Sequence, residues 1–318
     1  MGKGRVEQGP TLGSWGRLEG DMVPELSRYD ANSFIESELA RRLVILSDLL
    51  EADMLAIQGL MGSGLDDIVH RVMEDDAWKK KGRKIGIVLT TDGGYVEVVH
   101  RIAETIRHHY SDVSFIVPDH AYSAGTILVM SGDRIFMDYY SRLGPIDPQV
   151  ETDGKFVPAL GYLKKWERLL QKAQDGTITV AEIQLMLQSF DQAELYMFEQ
   201  ARELSVELLK EWLAKYKFKT WTRTETHGSP VTDEMRSQRA EEIARKLNET
   251  ERWHSHGYGI SLEILQEELQ LKIEDYGRQE DLKEAITAYH SLFEDFAHRN
   301  RLSGAIHVAG KFIPVSQE

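Results

Sequence analysis

The sequence contains no cysteine. That removes disulfides, thiolate nucleophiles and cysteine-ligated zinc at once. It has no run approaching the ~20 consecutive apolar residues of a membrane-spanning helix. Residues Met1 to Gly20 mix glycine with charge and lack the apolar stretch of a signal peptide. Basic charge is scarce as well: 38 Lys and Arg stand against 52 Asp and Glu, a net charge of −14. Such a balance disfavours general nucleic-acid binding, which needs a basic surface to displace phosphate counterions, and docking on anionic lipid. There is no GxGxxG or Walker loop, and the histidines show no HExxH or similar spacing. No cofactor and no metal are expected. The composition implies a soluble, cytoplasmic protein long enough to bury a large core.

What is present concentrates between Lys84 and Gln149. Two apolar, β-branched runs, Ile85–Leu89 and Val113–Val117, each stop at small residues and then enter an amphipathic segment. That pattern predicts strand–turn–helix units. The first turn is Asp92-Gly93-Gly94; the second is Ala121-Tyr122-Ser123-Ala124-Gly125. A run at Met54–Gly59 followed by Leu65, Ile68, Val69 and Val72 predicts one more such unit upstream, and Arg134–Met137 predicts a further strand. Repeated βα units imply a parallel sheet with right-handed crossovers, whose chemistry gathers at the carboxyl ends of the strands. Both turns fall there.

The flanks differ. Residues 1–29 have no sustained period and predict a flexible arm. Phe34, Leu39, Leu43 and Leu46 predict a helix from about Asp30 to Leu49. The sequence thus divides into the arm (1–29), an α/β core (30–157) and a largely helical extension (158–318) that completes the core. Within the extension, Leu160–Gln174, Val180–Lys217, Asp233–Asn248 and Asp281–Arg299 predict long helices, and Ile306–Ile313 a final short strand. The segment Trp253–Ile260 is the one aromatic, histidine- and glycine-rich break.

Paired glycines after a strand let backbone N–H groups face a cleft unobstructed, as an oxyanion hole requires; they also make an ordinary tight turn. Ser123, among small residues at a predicted helix start, suits a nucleophile with the Ala124 amide as a second oxyanion donor; serine there also suits an N-cap. A serine nucleophile needs a base. Candidates are His120, Lys164, Lys165, His254 and His256, His120 lying very close in sequence to fold back onto Ser123. Asp147, between Pro145 and Pro148, orients a base or fixes a turn.

The set Thr91-Asp92-Gly93-Gly94, Ala121-Tyr122-Ser123-Ala124-Gly125-Thr126 and Leu143-Gly144-Pro145-Ile146-Asp147-Pro148-Gln149 resembles the serine dehydrogenase proteinase family, of the Clp protease/crotonase superfamily, with signal peptide peptidase A as a relative. The resemblance implies an α/β fold built as a spiral of ββα units with a large helical extension. It implies an ATP-independent serine peptidase with Ser123 as nucleophile and Gly93, Gly94 and Ala124 as oxyanion hole. The Pro158–Lys164 segment resembles the stretch bearing the lysine base of the signal-peptide-peptidase-like branch, which implies a Ser123–Lys164 dyad; Lys165 adjoins it. Trp253–Ile260 resembles a family stretch that places His256 at its histidine. Asp92 departs from the proline usual before the glycine pair, and is expected to point outward. A homo-oligomer acting on peptide or protein substrates is implied, with an adaptor or partner protein conceivable. Two other readings are a crotonase-like acyl-CoA enzyme using the same oxyanion hole and a non-catalytic scaffold of the same fold.

Overall fold

A computed structural model of the chain describes residues 31–79, 81–146, 149–152, 155–189, 191–224 and 227–315. Helix α1 (Ala31–Leu50) leads to strand β1 (Asp53–Gly59), helix α2 (Leu65–Glu74), strand β2 (Lys84–Thr90), helix α3 (Val96–His109) and strand β3 (Asp112–Ile116). The short strand β4 (His120–Ala121), helix α4 (Ala124–Met130), strand β5 (Arg134–Met137) and short strand β6 (Arg142–Leu143) follow. A hairpin of β7 (Gln149–Thr152) and β8 (Lys155–Pro158) precedes helices α5 (Ala159–Gln174), α6 (Val180–Ser189), α7 (Gln192–Trp212), α8 (Asp233–Asn248) and α9 (Thr250–Trp253). The chain then forms β9 (Ile260–Ser261), α10 (Leu262–Glu267), β10 (Glu274–Asp275), α11 (Glu280–Arg299), β11 (Gly304–Val308) and β12 (Lys311–Val315).

Seven strands make the main sheet in the order β10-β5-β3-β2-β1-β11-β12. From β10 to β1 neighbours run parallel; β11 pairs antiparallel with β1, and β12 with β11. Period-two alternation sorts the core. Leu55, Ile57, Ile87, Leu89, Phe115 and Ile135 face α2, α3, α4 and the α7–α8 pair. Met54, Ala56, Val88, Ile116 and Phe136 face α1 and α11. The central strands are thus buried on both sides, which is why they read as unbroken apolar runs rather than alternating ones. A second, three-stranded sheet, β4-β6-β9, stands at the carboxyl end of the first.

Two elements differ from the sequence expectation. The predicted single helix Val180–Lys217 is two helices and a π-helical turn at Leu213–Lys217. Asp191 caps α7, accepting from the Ala193 and Glu194 amides, and a side chain that satisfies a helix start ends continuity with the helix before it. The predicted lone strand Ile306–Ile313 is a hairpin, turned at Gly310 (φ 81), with β11 at the edge of β1. The expected N-terminal arm lies outside the described residues.

Candidate active site

Pairing continues past the end of β2. Thr91 bridges to Ala121 of β4, its N–H donating to His120 O at 3.0 Å while Tyr122 N–H donates to Thr91 O at 2.9 Å. The two turns singled out in the sequence are therefore laced side by side. A Cβ on Gly93 (φ 107) would lie 2.8 Å from Ser123 Cβ and 2.9 Å from Tyr122 O. A Cβ on Gly94 (φ 141) would lie 2.5 Å from Met61 O. Only glycine fits either place, for its φ and for its lack of a side chain.

The peptide planes fix where the amides point. Met61 N–H donates to Gly93 O at 2.7 Å, and Tyr95 N–H to Met61 O at 2.9 Å. In a trans peptide the C=O and N–H are opposed, so the Gly94 N–H points away from Met61. It has no backbone acceptor among the described residues. The Gly93 N–H differs: it donates to Thr91 Oγ1 at 3.0 Å. Gly93 is buried and Gly94 exposed. The Ala124 N–H, in the first turn of α4 where helix geometry supplies no acceptor, likewise has no backbone acceptor among the described residues.

Ser123 sits between these donors at φ 51, ψ −119, a conformation costly for a side-chain-bearing residue. It occupies the N-cap position of α4, yet its side chain makes no capping hydrogen bond. The hydroxyl, half-buried, is carried on a sharp strand-to-helix turn. Neighbours hold that turn. Gly125 packs against Thr91 Cγ2, where any Cβ would overlap. Thr126, fully buried, accepts the Gly144 N–H at 2.9 Å, and its hydroxyl lies 2.8 Å from Ala121 O and 2.9 Å from Gly144 O. Gly144 in turn lies flat on Tyr122, its would-be Cβ 3.1 Å from Ser123 N. Thr91, Met61, Thr126 and Gly144 hold these turns in place through contacts that the sequence pattern did not reveal. Their signal is spatial: each matters through a neighbour far away in the chain.

The candidate bases are distributed. His120 has both ring nitrogens on carboxylates, Nδ1 at 3.1 Å from Asp119 Oδ2 and Nε2 at 3.0 Å from Asp92 Oδ1. A carboxylate only accepts, so both nitrogens donate, and neither is open to take a proton from Ser123. The Asp119 hydrogen bond raises the His120 pKa above 6.5, more than burial lowers it, with Asp92 adding to the rise. Asp119 is correspondingly depressed by His120. Asp92 points outward, 75% exposed. His256 is half-buried in the turn after α9; Ile260 of β9 pairs with Leu143 of β6, and β6 with β4, so this turn joins the same small sheet as Ser123. Gly259 packs on Arg142, its would-be Cβ 2.8 Å from Arg142 Cδ. Lys164 and Lys165 lie on α5, the first half-buried beside buried Leu163, the second exposed. Asp147 lies outside the described residues. Gly93, Gly94, Ser123 and Ala124 are thus the expected site residues that converge at one point.

A model of the ClpP-like SDH-type serine proteinases matches residues 67–234. Two uncharacterized proteins of Methanocaldococcus jannaschii are similar, at 31% identity over 160 residues and 29% over 149. These matches take in 48% and 46% of this chain and 51% and 48% of the relatives, so the chain spans about half the length of the curated relatives it matches. Two solved structures of a membrane-bound stomatin-specific protease, 1510-N, overlap the fold at a TM-score of 0.41. One, a serine-to-alanine mutant, is 13% identical and covers 71% of this chain and 81% of its own; the other, a lysine-to-alanine mutant with a substrate peptide, is 15% identical and covers 69% and 72%.

Proposed function

This chain belongs to the ClpP-like SDH-type serine proteinases, and we propose that it is an ATP-independent serine peptidase whose nucleophile is Ser123. The observation that carries this reading is the turn itself: an uncapped serine at φ 51, set against Gly93, with the Gly94 and Ala124 amides uncommitted beside it. In the reaction Ser123 Oγ bonds to the scissile carbonyl carbon and its proton passes to a general base. The carbonyl electron pair moves onto oxygen, where the Gly94 and Ala124 N–H groups hold it. Collapse breaks the C–N bond, the base returns the proton to the leaving amine, and water then releases the acyl group by the same steps. Removing one such donor typically costs about 10²–10³ in kcat. Gly93, whose amide serves Thr91, contributes clearance for Ser123 in place of a hydrogen bond.

Lys164 is the proposed base. Burial supports Lys164 over its exposed neighbour Lys165. His256, on the strand system that flanks Ser123, is the competing assignment, and Asp147 a residue that would orient a base. Single alanine substitutions of Lys164, Lys165 and His256 decide it: the base is the one whose loss abolishes turnover. The exposed apolar side chains of α6 and α7, Val180, Leu187 and Met197, are proposed as contacts between copies of the chain. Sedimentation of wild type against Leu187→Glu tests that, a monomer in both cases overturning it.

For the nucleophile, wild type and Ser123→Ala are compared for fluorophosphonate labelling and casein hydrolysis. Labelling confined to Ser123 and lost in the variant is expected. Equal labelling of both proteins sinks the assignment.

A further inference from the structure

The strongest unassigned feature is the charge cluster one residue from the glycine pair and three from Ser123. His120 bridges Asp119, just before it in the chain, and Asp92, at the end of the β2 extension. Its ring stacks on Tyr122 at 4.7 Å between centroids. Arg142 of β6 lies opposite His120 in register but spends its guanidinium on the Tyr139, Tyr140 and Ser141 carbonyls. From α11, His290 contacts Thr90 Oγ1 at 3.1 Å and lies near Glu294. Burial lowers the His290 pKa, against the opposing pull of Glu294 and Asp119. Among the described residues that pack around it, then, the imidazolium of His120 is what faces Asp92.

An uncompensated Asp92 carboxylate would sit one residue from Gly93. Negative charge there opposes the oxyanion that the Gly94 and Ala124 amides receive. We propose that His120, bridged between Asp119 and Asp92, is a positioning residue of the Ser123 site: its positive charge offsets the carboxylates beside the oxyanion hole, and its two contacts fix the Asp92–Gly94 turn against the strand that carries the nucleophile. This inference rests on the peptidase reading above. It makes the site self-limiting in alkali. The His120 pKa is raised on folding, so the charged form stands below that value and is lost as pH rises through it. Its stabilising contribution follows the same course, complete below 6.5 and gone above the folded value.

The test uses the rate of fluorophosphonate labelling of the full chain across pH, in which Ser123 Oγ bonds to phosphorus and fluoride leaves. Comparing variants as ratios cancels the titration of the base, which all of them share. Wild type over His120→Gln is expected to be about tenfold at low pH, the size a unit charge ~10 Å away produces at an effective dielectric of ~20. That ratio should fall towards one as His120 deprotonates. Asp92→Asn removes one of the two carboxylates that hold the His120 charge, so in its background the fall of that ratio should move to lower pH, and His120→Lys should keep the wild-type rate without the alkaline fall. Asp92 is exposed, so Asp92→Asn serves even if His120→Gln does not fold: the ratio of its rate to that of wild type should change with pH, because His120 loses its charge earlier in the variant. Ratios that do not vary with pH, or a fall whose pH Asp92→Asn leaves unmoved, overturn the clamp. Absence of any label on wild-type Ser123 overturns the peptidase reading and the clamp with it; normal labelling with flat ratios overturns the clamp alone.

Discussion

The two ends of the parallel sheet treat polar groups in opposite ways. At the amino end, charges are buried and matched. Asp53 at the start of β1 accepts from the Lys81 amide at 2.9 Å and the Tyr110 hydroxyl at 3.1 Å. Asp133, just before β5, takes the Val113 amide at 2.7 Å and Arg107 at 2.8 Å, and pairs with Lys219. Arg107 also lies over the Tyr216 ring at 3.7 Å. At the carboxyl end, the Gly94 and Ala124 amides are left uncommitted and Ser123 is held at a costly φ. One end pairs its buried carboxylates; the other keeps donors open and stores strain. Matched burial stabilises a fold, while open donors on a rigid frame are what a reaction requires.

If that division is right, substitutions at the two ends should separate activity from stability. The largest effect is expected of Ser123→Ala: casein turnover falls at least about a thousandfold while the melting temperature barely moves. Asp133→Asn should do the reverse. Breaking a buried pair costs about 3–5 kcal/mol in chemical denaturation, with activity per folded molecule unchanged. Its pH dependence follows from its environment. Burial pushes the Asp133 carboxyl up, but Lys219, the Val113 amide and Arg107 together hold it below 3.8. Its contribution is therefore present above 3.8 and lost as pH falls through the depressed value, so wild type should converge on Asp133→Asn in acid.

Gly93→Ala mixes the two currencies. The new methyl meets Ser123 at a φ that disfavours alanine, so kcat should drop about a hundredfold alongside a stability loss of about 1–3 kcal/mol. Thr126→Val should be mildest. It keeps the volume but strands the Gly144 amide, costing about 1–2 kcal/mol and lowering kcat more than it raises KM. An Asp133→Asn protein that is fully folded yet as inactive as Ser123→Ala would break the division between the ends.

The carboxyl end was legible in the sequence because its parts are local. Ile85–Leu89 and Val113–Val117 announce strands by composition, and glycine pairs announce positive φ. The Ser123 turn, with its small neighbours, reads the same way. What escaped is what depends on distant partners. Nothing local says that Thr126 reaches Gly144, that the Gly93 amide turns to Thr91 while Gly94 does not, or that His120 meets Asp92. The break at Asp191 was not read, because the residues on both sides of it are helix-forming. The β11–β12 hairpin was half-read because Ile306–Ile313 spans its turn at Gly310.

The pairing of β1 with β11 carries a kinetic consequence. Leu55 opposes Val308 and Gly59 opposes Gly304, whose backbones approach so closely that a Cβ on Gly59 would lie 2.7 Å from Gly304 Cα. During synthesis one edge of β1 must wait, unsaturated, for a segment made long afterwards. Such long-range closure is slow and leaves a strand edge exposed to wrong partners. The same strand leads directly to Met61, which anchors the Gly93–Gly94 turn. The Gly93–Gly94 turn therefore gains its anchor on a strand whose far edge is completed only when β11 arrives.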